Sequence, residues 1–401
     1  MSLAFRSAVS LLAGAMSLSL AVPALADPAQ RPEVAAAAQK LQQQVVDWRR
    51  DFHRHPELSN REERTARVVA DELRRMGLEP KTGIAHHGVV AIIKGGRPGP
   101  RIALRADMDA LPVTERTGLP FASKATAQFR GETVGVMHAC GHDAHTGILL
   151  GVAQALVDMR ATLPGEVMLV FQPAEEGPPV GEEGGASLML AQGLFDGLKP
   201  EAVFGLHVFS TVPAGQIAVR SGPLMAASDR FTIKVVGRQP HGSRPWVGVD
   251  PIVAAADLVG TIRTFDEGMR QKIFADLRNV SEHVAAAHGA RVEAQVPDSE
   301  GNPPTVNDPA LTAKMLPSLQ AVVGAGNVFE PPLQMGAEDF SLYGQKAPAL
   351  FFFVGATGAG IDPATAPGNH SPEFLLDEKA LDVGFRALLQ VSLDFLHGTT
   401  G

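Results

Sequence analysis

Short apolar runs alternate with amphipathic helical stretches through this chain, and that alternation restricts the fold more than any single motif does. Leu41, Val45, Trp48 and Phe52 recur at helical spacing, so residues 34–54 are expected to form a helix with one buried stripe. Pro56 stops it. Asn60 with Glu63 fits a capping box for a second helix ending at Gly77, and a further helical stretch covers about 144–160. Apolar runs at 89–93, 102–104, 167–171 and 202–208 are short enough for buried strands. Strands interleaved with helices predict an α/β sheet carrying helices on both faces. Such sheets place ligands beyond the carboxyl ends of their strands, where the chemically capable residues of this chain cluster.

The pattern changes near residue 215. Residues 216–220 and 231–236 read as strands, 252–265 as a helix and 290–296 as another strand. The expected organisation is a first part at 27–215, an inserted smaller α+β domain at 216–330, and a return to the first sheet at 331–401. A strand at 349–354 and a long helix near 376–396 would carry that return. The length of 401 residues allows two or three domains at roughly 150 residues each.

Composition narrows the function. Apolar residues make up 45% and charged residues 19%, which gives a globular chain with ample core. Lys and Arg number 35 against 43 Asp and Glu, a net charge of −8, so there is no basic excess to neutralise nucleic-acid phosphates. The single cysteine, Cys140, excludes an intrachain disulfide. Residues 1–26 read as a cleavable signal peptide: Arg6 supplies the positive start, 9–22 are mostly apolar, and Ala24-Leu25-Ala26 precedes cleavage. The expected product is periplasmic or secreted, with no stable membrane insertion.

The densest chemistry lies in Met137-His138-Ala139-Cys140-Gly141-His142-Asp143-Ala144-His145. Cys140 and His142 are two apart and can point the same way in extended chain. Thiolate and imidazole suit zinc or a similar transition metal. Glu175 and Glu176 follow the run at 167–171; one carboxylate can ligate a metal while the other serves as general base. His207 ends an apolar run and His370 sits in a loop, each ambiguous alone. Asp107 and Asp109 follow the run at 102–104 as turn formers or as carboxylates that orient ligating imidazoles. His241, in the insert, is a loop residue or a substrate clamp on a moving domain. Together these residues suit two metals sharing a ligand.

The order and wording of the motifs resemble the M20 metallopeptidase family, and within it the aminoacylase, hippurate hydrolase and auxin-conjugate hydrolase branch. The resemblance covers roughly residues 43–397. It rests on Asp51–Leu58, Leu104–Pro112, Met137–Asp143, Gln172–Gly177 and Gly205-Leu206-His207, then on Val249–Ile252, Pro304–Asp308, Met335–Phe340 and Asn369–Pro372. It implies a catalytic domain with a two-metal site and a lid domain that mediates dimerisation. Cys140 would bridge two divalent ions (Zn, Mn, Co or Ni), with His142, His207, Glu176 and His370 completing the set. Glu175 would be the general base, Asp109 the support of a ligating histidine, and His241 the lid histidine approaching the scissile carbonyl. Asn307 would help hold the substrate carboxylate. Trp246 and Asn302 depart from the residues common at their positions, which leaves the acyl-group preference open. The expected activity is metal-dependent hydrolysis of N-acyl amino acids or small amide conjugates. The alternatives are a dipeptidase or carboxypeptidase of the same family, a two-lobed binding protein, and a metal-free hydrolase using Cys140 as nucleophile.

Overall fold

The computed structural model describes residues 29–197, 199–250 and 257–398. The expected signal peptide at 1–26 and the first residues of the helix expected at 252–265 lie outside them. Among the described residues no helix is long and apolar enough to cross a membrane.

An eight-stranded mixed sheet organises the chain. Its centre is four parallel strands in the order Pro164–Gln172, Arg97–Asp107, Ala202–Pro213 and Ala349–Thr357. Gly88–Lys94 pairs antiparallel beside Pro164–Gln172, and Lys81–Ile84 closes that edge. On the other side Ile217–Ala218 pairs antiparallel with Ala349–Thr357 and carries the parallel strand Val328–Phe329.

Central parallel strands are covered on both faces, so their inner stretches read as apolar runs rather than alternating ones. Ala349–Thr357 is buried along its whole length. Leu350, Phe352 and Val354 enter one core, while Phe351 and Phe353 enter the other. The first core receives the apolar faces of the helices Pro32–Arg54, Glu63–Arg75, His142–Asp158, Pro309–Val323 and Lys379–His397. The second is covered by the short helices Gly185–Ala191 and Ser341–Gly344, with Met189 and Tyr343 as anchors. Helices therefore lie on both faces, as the alternation predicts, but the long ones share one side.

Three local expectations change. The expected capping box at the start of Glu63–Arg75 is not formed by Asn60. The Glu57 carboxylate accepts from Arg64 N at 2.9 Å and Thr65 N at 2.8 Å, while Asn60 turns away to Glu182 and the Glu183 carbonyl. Within 252–265, residues Asp257–Ile262 are a strand, paired residue by residue with Asp229–Val236. The helix comes later, at Glu267–Ala287, where the Asp266 side chain accepts from Met269 N at 2.7 Å.

Strands Asp257–Ile262, Asp229–Val236 and Arg291–Gln295 form a separate three-stranded antiparallel sheet. Its own apolar cluster joins Ile233, Ile262 and Val296 to Phe274 of Glu267–Ala287. Strands Ile217–Ala218 and Val328–Phe329, and helix Pro309–Val323, belong instead to the large sheet and its core. The separate sheet thus occupies only the middle of the expected 216–330 block.

Candidate metal centre

Most residues singled out at the sequence level gather near the carboxyl ends of the central strands. Asp107 closes Arg97–Asp107, Glu175 and Glu176 follow Pro164–Gln172, and His207 lies in Ala202–Pro213. Cys140 precedes helix His142–Asp158. Gly141 joins them at φ +99°, and a Cβ there would sit 2.3 Å from Val208 Cγ2. Only glycine allows the turn that brings Cys140 and His142 to one centre.

Cys140 Sγ lies 3.2 Å from His207 Nε2 and 3.2 Å from His370 Nε2. His370 Nε2 is also 3.2 Å from Glu176 Oε1, and His142 Nε2 is 3.9 Å from that same oxygen. The ligand atoms of Cys140, His142 and His207 fall within 4.8 Å of one another, as do those of Cys140, Glu176 and His370. Cys140 belongs to both groups, so the five residues form two clusters sharing one thiol.

Hydrogen bonds set the imidazole tautomers. His142 Nδ1 donates to the Asp109 carbonyl at 2.9 Å, and His207 Nδ1 donates to the Val208 carbonyl at 2.7 Å. Both Nε2 atoms therefore face the cluster with their lone pairs. His145 is different: its Nε2 already accepts from Val208 N at 2.9 Å and its Nδ1 donates to Asp107 at 2.6 Å. It is a structural neighbour of the centre. Asp109 supports His142 as expected and accepts from Ser59 Oγ at 2.7 Å as well.

This donor set fits cations. His142 Nε2 and Glu176 Oε1 are buried and make no hydrogen bond, although each faces other ligand atoms. Such orphaned atoms are costly unless something binds them. Charge points the same way. Burial, then Glu176 and Glu175, push the Cys140 thiol well above its usual pKa. Burial and the carboxylates of Glu338, Glu176 and Asp339 push Glu175 well up. Against burial, Asp107, Asp109 and Glu176 raise His142 to about 10. An excess of negative donors in a buried pocket is what a bound cation relieves.

Sequence reasoning missed the buried network under this centre. Arg105 donates to Gln172 at 2.9 Å, to Asp107 at 2.7 Å, and to both Glu338 and Asp339 at 2.8 Å. Against burial, its three carboxylate partners hold the guanidinium charged. The available signal was an arginine directly after the apolar run at 102–104, a buried position that a charged residue seldom takes unless paired.

Two expected site residues lie elsewhere. Asn307 is fully buried and its amide is used up: Nδ2 donates to the carbonyls of Phe351 and Arg220 at 2.8 and 2.9 Å, and Oδ1 accepts from Phe351 N at 2.7 Å. It ties Thr305–Asn307 to the large sheet and has no free group for a substrate carboxylate. His241 is exposed, bonded to Ser243 Oγ at 2.9 Å, and does not line the cleft in this single chain.

The centre opens into a cleft of about 340 Å³ lined by Cys140, Glu175, Glu176, His207 and His370, with Arg263, Asn302 and Asn369 at its walls. Glu175, Ser228 and Asn302 also line an adjoining groove of about 900 Å³, between the loop Gly177–Gly185 and the three-stranded sheet.

A buried thiol shared by two imidazole and carboxylate clusters, at the strand ends of an α/β sheet, defines a metallohydrolase centre. Residues 103–394 match Peptidase family M20/M25/M40, and the chain belongs to this family of metal-dependent amide hydrolases. It is 36% identical to thermostable carboxypeptidase 1 of Saccharolobus solfataricus over 88% of this chain and 96% of that one. It is 34% identical to an N-acetyl-L-cysteine deacetylase of Bacillus subtilis, over 85% of each. Among solved structures it resembles the Bacillus subtilis YXEP protein, described as a dinuclear metal binding peptidase from the M20 family. That match has a TM-score of 0.73 and 34% identity, covering 90% of this chain and 99% of that one.

Proposed function

We propose that the protein hydrolyses the amide bond of N-acyl amino acids or small amide conjugates at a two-cation centre held by Cys140, His142, His207, Glu176 and His370. The observation that carries this reading is the pair of orphaned ligand atoms, His142 Nε2 and Glu176 Oε1, beside a buried thiol at the floor of an open cleft. Bound cations would polarise the scissile carbonyl and lower the pKa of water.

The remaining work falls to the chain. Glu175 borders the cleft with Oε2 3.9 Å from His142 Nε2. It takes a proton from the attacking water and passes it to the leaving nitrogen. Asp109 keeps His142 oriented. Arg263 is the guanidinium among the residues lining the cleft, and it takes the carboxylate-holding role that Asn307 has no free group to fill. His241 donates to the developing oxyanion after movement of the three-stranded unit, or from a second copy of the chain in a homodimer. In this reading the unit acts as a lid, and residues 1–26 direct the protein to the periplasm or outside the cell. The deacetylase and carboxypeptidase relatives support amide substrates ending in a free carboxylate. The adjoining groove leaves room for acyl groups larger than acetyl.

The test is amino-acid release from a panel of N-acetyl, N-benzoyl and indole-acetyl amino acids and dipeptides, with added Mn²⁺ or Zn²⁺. Release from N-acyl substrates above dipeptides is expected. Exclusive release from dipeptides would replace the aminoacylase reading with a dipeptidase, and no release by metal-loaded protein would contradict both.

A further inference from the structure

We propose that Glu62 is a positioning residue for the Glu175–Glu176 pair, its carboxyl holding the turn from which both side chains project. The proposal rests on the roles given to those two residues above and deepens them.

Three consecutive backbone N–H groups enter this turn, and each donates to a carboxyl oxygen. Ala174 N donates to Glu62 Oε1 at 2.9 Å, Glu175 N to Asp109 Oδ1 at 3.1 Å, and Glu176 N to Asp109 Oδ2 at 3.0 Å. Asp109 fixes the last two amides but not the first. The first is where the backbone is least ordinary: Ala174 has φ +54°, a left-handed conformation that alanine seldom adopts. It is also buried, so water does not replace a lost acceptor. The residue that makes this turn affordable in energy therefore sits 112 positions away in sequence.

Glu62 is placed to do this. It is fully buried at the start of helix Glu63–Arg75, which Val69 and Leu73 anchor in the large core. Its side chain makes no capping bond to that helix; Glu57 does the capping. Its second oxygen, Oε2, is buried without a hydrogen-bond partner. The carboxyl also meets the backbone N–H groups of Glu62 itself and Asn60, and its one long-range bond is the 2.9 Å contact to the turn that carries Glu175 and Glu176. Burial and the charge of Asp109 raise its pKa to about 8, so glutamine is a close neutral substitute.

The experiment compares wild type, Glu62→Gln and Glu62→Asp. Glutamine keeps the acceptor at the same reach; aspartate keeps the carboxyl but shortens it by one methylene, too far for Ala174 N. Each is measured for kcat and KM on a substrate the wild type hydrolyses, and for the visible spectrum and affinity of added Co²⁺. Glu62→Asp should lose about 10–100-fold in kcat with KM within about 3-fold, while Glu62→Gln stays within about 3-fold of wild type in both. The Co²⁺ bands should shift, and Co²⁺ affinity weaken, in Glu62→Asp alone. Wild-type kcat and an unchanged Co²⁺ spectrum in Glu62→Asp would overturn the proposal, as would equal losses in both variants. Failure of the wild type itself to bind Co²⁺ would overturn the metal-centre reading beneath it.

Discussion

Glu175→Gln yields a folded, metal-binding protein whose kcat falls by about 10²–10⁴-fold, the range that positioned general acid–base groups contribute. The substitution preserves shape and removes only the ability to take a proton. Glu175 is suited to that task by its surroundings. Burial and three neighbouring carboxylates, Glu338, Glu176 and Asp339, raise its affinity for a proton. Bound cations would relieve that excess of negative charge and leave the carboxylate free to take a proton and pass it on to the leaving amine. The check is amino-acid release at saturating substrate, with metal content and circular dichroism measured on the same sample. A variant within about 3-fold of wild type would remove Glu175 from proton transfer.

Arg105→Met should cost about 3–5 kcal/mol of stability, because it leaves buried carboxylates without their counter-charge. The guanidinium is almost fully buried and serves Asp107, Glu338 and Asp339 together. Its loss also frees Asp107, which His142, His145 and Arg105 hold, against burial, well below the usual carboxylate pKa. Metal affinity should therefore weaken along with folding stability. Urea denaturation of wild type, Arg105→Met and Arg105→Met with Glu338→Gln measures this. The double variant should recover part of the loss, since one unpaired charge is gone. A single variant within about 1 kcal/mol of wild type would show that the carboxylates find other partners.

The central strands and long helices were legible because their signals are local: a continuous apolar run, or apolar residues at helical spacing. The five candidate ligands were legible through the motifs that carry the family resemblance; three of them, Glu176, His207 and His370, lie in or after central strands, and Cys140 and His142 flank the start of a helix packed on that sheet. Asn307 was misread because its sequence context is the same whether its amide faces a ligand or the backbone of Phe351; only the packing distinguishes them. The stretch 309–323 fell within the bounds set for the insert for a related reason. Its apolar face is visible in sequence, but not that Leu311, Met315 and Leu319 meet the large core. The strand Asp257–Ile262 lies on an edge, with Leu258 and Val259 exposed, so it lacks the alternation that marks a half-buried strand. Glu62 carries no local signal of its contact, since its partner lies far along the chain.

The most direct test of the account is a metal titration of chelator-stripped protein, with bound Mn²⁺ or Zn²⁺ and amide hydrolysis followed on one sample. The account predicts no turnover in the stripped protein, binding that saturates near two ions per chain, and turnover that returns with occupancy. Cys140→Ala, which removes the ligand shared by both clusters, should weaken binding at both. Full turnover by protein shown to be free of metal would contradict the account at its centre.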